Sequence, residues 1–409
     1  MRNPLRALFD RRMDSHGLWE ALAVGLKAVT GKTVSESDAM RISTVVTCVS
    51  IRSRVVASLP LGVYERVDEK TRRPAGDHWL SSLLRRPNAW QTRYTFGQVM
   101  QVYLLLHRNA YAWVNWVKDP LNGGMRAVEM IPLHPSRVHV EQPNELEAPT
   151  YELRSKSGRS TPIPMEEMVH LRDLSTDGVT GRSLLADARD PIGLAQVQQE
   201  HAGTFWGRGG RPDVFLEHPK ELSDRAKTAL ETSWAKTYGG GADQRRVAVL
   251  EEGMKASFPN VTHEASQFLE TKNSTRSEIA GMFHVPSFLA GLEEKQTSWG
   301  TGVEQMVIGF SKFAVQPDCE NWEEEYGRTL LRYERKQMFV KHRLEGLMRG
   351  DSKSWGEFVK TLREIGVLNA NEVRALMDLN PREGGDAYGD LAYVSGKPDP
   401  AAEPKPAAS

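Results

Sequence analysis

Two apolar-periodic segments of about 20 residues, 184–206 and 262–283, bracket an insert of roughly 55 residues, and this order constrains the fold more than any other feature. In the first segment Leu185, Ala188, Ile192, Ala195 and Phe205 recur at helical spacing, and Pro191 predicts a kink. Each helix would run about 30 Å. The insert between them reads as a strand near 214–216, a helix over 223–238 with Ser223 at its N-cap, a glycine turn at 239–241 and a strand over 247–250. It is too small for an ordinary domain, so the pattern predicts a cap carried on two struts.

Upstream, the reading is α+β. A stripe of Val45, Val49, Val56 and Leu59 predicts a packed helix that Pro60 ends. Residues 61–64 then start a hairpin whose turn lies in 68–76. Phe96, Val99, Met100, Tyr103 and Leu104 predict a helix over 95–107. Residues 109–117 alternate, with Tyr111, Trp113, Asn115 and Val117 on one side and Ala112, Val114 and Trp116 on the other. Further strands are expected at 128–132, 138–140, 151–154 and 168–171. The first 41 residues, with Arg2, Arg6, Arg11 and Arg12 near their start, read as a flexible arm.

Downstream, residues 291–302 form a polar, glycine-flanked loop. A long helix over 303–335, bent at Pro317, and two short helices over 354–365 and 371–378 follow. The segment from Pro381 onward is Gly-, Pro- and Ala-rich and is expected to be disordered.

Composition limits the function classes. The 409 residues are 39% hydrophobic and 26% charged, enough for two or three packed domains. Lys plus Arg and Asp plus Glu both number 53, so no net charge holds the chain on nucleic acid or an anionic membrane. Cys48 and Cys319 stand far apart, which predicts neither a disulfide framework nor a cysteine zinc site and suits a reducing cytoplasm. No apolar run reaches membrane-spanning length.

Catalytic motifs are missing. The sequence contains no G-x-x-x-x-G-K-[ST] phosphate loop, and no H-E-x-x-H, G-x-S-x-G or S-x-x-K signature in a supporting context. Gly178, Gly181 and the run 239–241 read as turn signals. His134, His139 and His170 lack placeable partner ligands and read as surface or core residues, so no metal site and no cofactor is expected. Consecutive Glu323, Glu324 and Glu325 point to different sides of a helix and read as a solvated face. The basic pairs and clusters at 72–73, 208–211 and 245–246 are too short for a sequence-reading motif.

From about Ile42 to Asp386 the order of phrases resembles the portal protein family of tailed bacteriophages, also found in prophages and gene transfer agents. The phrases are Ser58-Leu59-Pro60-Leu61 with Val63-Tyr64, Pro87-Asn88 followed by Thr92 and Phe96, and Arg108-Asn109-Ala110-Tyr111, where relatives commonly carry Gly-Asn-Ala-Tyr. Ile131-Pro132-Leu133-His134-Pro135, Val169-His170-Leu171-Arg172 and Asp177-Gly178 through Gly181-Arg182-Ser183 follow in order. Phe205-Trp206, Val285-Pro286 with Leu289 and Gly291, Asn371-Glu372-Val373-Arg374, Asn380-Pro381 and Gly384-Gly385-Asp386 complete the series. Arg108 departs from the family's glycine and questions a tight turn there.

The resemblance implies an α+β portal fold with nine parts: a flexible arm (1–41), a wing (42–181), a stem helix (182–206), a small α/β clip (207–260), a second stem helix (261–285), a tunnel-loop region (286–302), a wing long helix (303–349), a helical crown (350–380) and a disordered tail (381–409). It implies a homo-oligomeric ring, usually of twelve subunits, at one capsid vertex of the virion. The ring would conduct double-stranded DNA during packaging and ejection, would be assembled in the host cytoplasm, and would have no catalytic chemistry or membrane contact. The implied partners are the terminase large subunit, a head–tail adaptor and the major capsid protein. Glu293, Glu294, Lys295, Gln296, Thr297, Ser298 and Trp299 would face DNA, and Arg208, Arg211, Lys220, Arg245 and Arg246 of the clip would bind partners.

The residues alone leave two other readings. One is a magnesium-dependent nucleic-acid-processing enzyme using Asp173, Asp177 and Asp187, since magnesium needs only one or two carboxylates beside substrate phosphates. The other is a different ring component such as a tail adaptor, a class usually shorter and without the struts.

Overall fold

The computed structural model describes residues 26–68, 71–119, 124–155, 159–207, 215–217, 223–229, 232, 255–257, 261–292, 301–334, 337–344, 352–377 and 379–388. They fall into two compact units, one within Met1–Thr297 and Lys312–His342, the other within Ser298–Ser311 and Arg343–Ser409.

The first unit opens with strands β1 (Leu26–Lys27) and β2 (Thr33–Val34), turned back at Gly31 with φ +78°. Helix α1 (Glu36–Ala39) follows, started by a capping box between Ser35 and Asp38 that satisfies two orphan amides at once. Helix α2 (Ser43–Ser58) buries Val45, Cys48, Val49, Arg52 and Val56 and stops before Pro60, which cannot supply the next amide. Strands β3 (Leu61–Arg66) and β4 (Arg72–Pro74) form the hairpin, and helix α3 (Trp79–Arg85) leads to α4 (Arg93–His107), whose N-cap Thr92 accepts from the Thr95 amide at 3.1 Å.

Strand β5 (Asn109–Lys118) pairs antiparallel with both β6 (Met125–Leu133) and β10 (Met168–Arg172), with a register shift at Asn115/Trp116. Between β6 and β10 lies a separate antiparallel sheet of β7 (Val138–Glu141), β8 (Thr150–Arg154) and β9 (Ser160–Ile163). Strand β5 is a septum between two cores because its side chains alternate. Ala110, Ala112 and Val114 enter a core with Leu80, Met100, Leu104, Leu171, Trp322 and Tyr326. Tyr111 enters the other, with Val138, Val140, Tyr151, Ile163 and Met168.

Helices α5 (Leu184–Asp187) and α6 (Arg189–Gly207) precede the paired short strands β11 (Phe215–Glu217) and β12 (Lys255–Ser257), and α7 (Val261–Met282) follows. Gln198 of α6 donates to Thr275 Oγ1 of α7 at 3.2 Å, and both are buried. Next come α8 (Thr301–Phe310) of the second unit, a π-helical turn (Ser311–Val315) and α9 (Gln316–Leu330). Strand β13 (Met338–His342) returns to pair antiparallel with β3.

The second unit also holds α10 (Ser352–Glu364) and α11 (Ala370–Leu376), the latter opened by a capping box between Asn369 and Glu372. Asn371 latches the segment beyond α11. Its Nδ2 donates to Arg382 O at 3.0 Å and to Asp386 Oδ1 at 2.8 Å, and its amide donates to Gly385 O at 3.0 Å. The phrases at 371–374 and 384–386 are thus two halves of one local structure.

Several expectations need correction. The arm proposed for 1–41 is ordered from residue 26: Val34 and Ala39 are fully buried, Val29 N donates to Asp190 Oδ1 of α6 at 2.9 Å, and Lys32 pairs with Glu200 at 2.6 Å. The tail expected to be disordered from 381 is tied to α11 as far as Asp386. The helix expected over 184–206 is interrupted at Ala188, just ahead of Pro191, and that over 303–335 is broken by the π turn ahead of Pro317 and ends at Leu330. Proline explains both breaks, since it lacks a donor and its ring crowds the preceding turn. Strands β9, β12 and β13 had no sequence expectation. The expected strand at 247–250 lies outside the described residues.

Gly193 explains how the β1–β2 strap reaches α6, because a Cβ there would collide with the Cβ of Ala28. Gly193→Val is therefore expected to lift the strap while leaving β5 and its cores intact. Amide exchange over 26–34 should accelerate about tenfold or more, as for a locally opened segment. Unchanged exchange in that stretch would contradict the packing.

Candidate functional site

Three phrases far apart in sequence, 108–111, 169–172 and 177–183, meet at the start of β5. Helix α4 ends with Arg108 in the left-handed region, φ 52°, so the tight turn that glycine usually serves is made here by arginine. Its guanidinium pairs with Asp187 at 2.9 Å. The next residue, Asn109, is buried; its Nδ2 donates to His107 O at 2.9 Å and to Gly181 O at 2.8 Å. Asn109 Oδ1 accepts from the Gly181 amide at 2.8 Å and from His170 Nε2 at 3.0 Å. The Asp173 amide donates to Arg108 O at 3.0 Å. A Cβ on Gly181 would overlap Arg108 O and stand 2.6 Å from Asp173 O, so only glycine fits.

His170 is held neutral in this knot. Nε2 donates to Asn109, and Nδ1 accepts from the Tyr151 hydroxyl at 3.2 Å. Burial pushes its pKa well below the usual 6.5, and the cations Arg172 and Arg328 add to that. Its backbone amide donates to Glu325 Oε1 at 2.8 Å, and Arg328 and Thr329 also bond that carboxylate. Glu323 likewise accepts from the His342 amide at 2.7 Å. The solvated face expected of 323–325 is therefore wrong for Glu323 and Glu325, which splice α9 to β13 and β10.

A second buried network pins the chain on both sides of the polar loop. Arg52 of α2 makes two 2.8 Å bonds to the Asp318 carboxylate, donates to Phe283 O at 3.0 Å and reaches Ala314 O at 3.3 Å. Gln101 Nε2 donates to Asp318 at 2.7 Å, and Trp322 Nε1 donates to Gln101 Oε1 at 2.9 Å. Burial raises the Asp318 pKa, and Arg52 opposes that rise. Phe283 closes the second long helix and Ala314 lies in the π turn, so one guanidinium fixes both flanks of the segment 284–313.

The residues expected to face DNA, Glu293 to Trp299, and those expected to bind partners, Arg208, Arg211, Lys220, Arg245 and Arg246, lie outside the described residues. The carboxylates of the magnesium reading are occupied otherwise. Asp177 accepts from the amides of Val179 and Thr180, both at 2.8 Å, Asp187 pairs with Arg108 and Arg182, and Asp173 accepts from the Leu174 amide at 2.8 Å. They cap and pair within the knot rather than converge on one point. His134, in contrast, does find partners that its sequence neighbourhood could not reveal, Glu36 and His107.

Residues 43–378 match the family model described as phage portal protein. The portal protein of Enterobacteria phage HK97 is 30% identical over 368 residues, spanning 88% of this chain and 84% of the relative. Among solved structures, a chain from the neck of an empty gene transfer agent particle computed with C6 symmetry superposes with a TM-score of 0.60 at 21% identity, over 84% of this chain and 93% of that one. A chain from the neck of the native particle computed with C12 symmetry gives 0.57 at 21% identity, over 88% and 99%.

Two outcomes follow for the knot. Gly178 has φ +73° with open space around it, so Gly178→Ala should cost about 1 kcal/mol, whereas Gly181→Ala must move backbone and should cost about 3 kcal/mol or more. Equal urea midpoints for the two variants would contradict the close approach. Unfolding also lets His170 take up a proton that the folded chain refuses, so the unfolded state binds more protons below about pH 6.5 and stability falls as pH falls. His170→Gln should flatten the acid side of the stability profile by up to about 1.4 kcal/mol per pH unit.

Proposed function

This chain belongs to the phage portal protein family, and from that premise we propose that copies of it close into a ring at one capsid vertex, through which double-stranded DNA is packaged and ejected. The family is a structural component of the virion rather than an enzyme. The match over residues 43–378 carries the reading. Its likeness to neck chains of C6- and C12-symmetric particles favours a ring, with twelve subunits in the virion.

The proposed parts follow the chain. Residues 42–181 serve as the wing, 182–206 and 261–285 as stem helices, 207–260 as the clip, 286–302 as the tunnel-loop region, 303–349 as the long helix of the wing and 350–380 as the crown. The clip is the docking surface for the terminase large subunit during packaging and for the head–tail adaptor afterwards, with Arg208, Arg211, Lys220, Arg245 and Arg246 as its charged contacts. The wing meets the major capsid protein. Two observations support these roles: α6 and α7 flank the β11–β12 pair, and Arg52 fixes both flanks of the loop.

Physics favours a slippery bore. Each phosphate neutralised by a cation steepens the salt dependence of binding, so a strongly basic lining would brake a sliding duplex. Repeated around a ring, Lys295 beside Glu293 and Glu294 gives a weakly charged collar. Gln296, Thr297, Ser298 and Trp299 offer exchangeable contacts.

Top views of the purified protein by electron microscopy are expected to show a closed ring with a central hole. Persistently monomeric protein under every assembly condition would overturn the proposal. Particles carrying Trp299→Ala with Lys295→Glu should assemble but contain fewer filled heads, and normal filling would remove the loop from the DNA path.

A further inference from the structure

The strap that precedes the wing ends in a cluster with the composition of a metal centre. The Ser35 capping box fixes the first turn of α1 and thereby aims Glu36. Glu36 Oε2 lies 3.0 Å from His107 Nε2 and 3.0 Å from His134 Nε2. His107 is the last residue of α4, and His134 caps the 3-10 turn after β6, so three segments distant in sequence converge. The three donor atoms all lie within 4.8 Å of one another. Among the described residues no other group of His, Cys, Asp and Glu converges in this way.

We propose that Glu36, His107 and His134 form a binding site for a divalent transition ion of the zinc class, which fastens the N-terminal strap to the wing. Two imidazole nitrogens and one carboxylate oxygen are a donor set that zinc accepts, with the remaining position left to water. Donors on a tetrahedral zinc with bonds of ~2.0–2.1 Å stand about 3.3 Å apart, so each Glu–His distance needs to open by only a few tenths of an ångström. Access is provided from one side: the His107 side chain is 5% exposed, while those of Glu36 and His134 are each 34% exposed. Tyr103 packs edge-on to the His134 ring at 5.0 Å and limits its rotation.

Proton positions are consistent with loading. Without an ion, His134 Nδ1 accepts from the Ser136 amide at 3.2 Å, so Nε2 carries the proton and donates it to Glu36. Binding needs Nε2 bare. The proton moves to Nδ1, where Ser136 Oγ at 2.7 Å can accept it, the kind of outer partner that ligating histidines use.

The consequence is mechanical. An ion at this point ties α1, and through it the β1–β2 strap lying on α6, to α4 and β6. Full-length protein stripped with chelator and dialysed is the material for the test, with zinc chloride alone as probe and calorimetry as readout. About one zinc per chain is expected, with slower amide exchange over 26–41 on loading. His134→Ala, at a half-exposed position, and Glu36→Gln should each weaken zinc about tenfold or more and abolish the slowing. Cobalt substitution provides a readout independent of stability, because the visible absorption of four-coordinate cobalt should appear in the parent and be lost in a folded His134→Gln variant. Absence of stoichiometric zinc in the parent, or equal binding by the variants, overturns the proposal.

Discussion

The Arg52–Asp318 pair is the interaction on which the rest of the first unit depends. Both side chains are almost fully buried, at 7% and 6% exposure, and desolvating two charges is repaid only where the geometry satisfies every group. Here it does: the carboxylate takes two guanidinium bonds and one from Gln101, while the guanidinium reaches two backbone carbonyls besides. Losing one partner would strand a buried charge, a penalty of about 3–5 kcal/mol. That stake is shared by α2, α4, the end of α7 and the π turn.

The flanks at Phe283 and Ala314 form one rigid base, and the neighbouring knot around Asn109 is another, because Asn109 bonds four groups from three segments and Gly181 has no room for a side chain. Helix α4 links the two: it contributes Gln101 to the ion pair and, within two turns, the His107 carbonyl to the knot. Rigidity at one therefore transmits to the other through packed side chains rather than through a flexible linker.

Much of this was legible along the chain. The alternation over 109–117 predicted two faces, and the structure gives each face its own core. The stripe in α2, the cap at Ser223, the stop at Pro60 and the irregularities near Pro191 and Pro317 are local effects that depend on a few neighbouring residues. The expectations for Glu323 and Glu325 failed because a glutamate on a helix reads as solvated unless a distant strand brings it amides. The strap failed similarly: residues 26–41 carry apolar residues without a helical or strand period, and they are ordered by contacts with α6, α4 and the turn after β6.

Periodicity, proline and glycine were enough for the long helices, the alternating strand over 109–117 and the hairpin at 61–74, since each is a property of residues within one or two turns. Only the tertiary structure decided which distant side chains share a site. Arg52 and Asp318 stand 266 positions apart, and Glu36 meets His107 and His134 across 71 and 98. The reason is that a buried charge or a ligand set is defined by distance in space and by exclusion of water, neither of which any local stretch of sequence encodes.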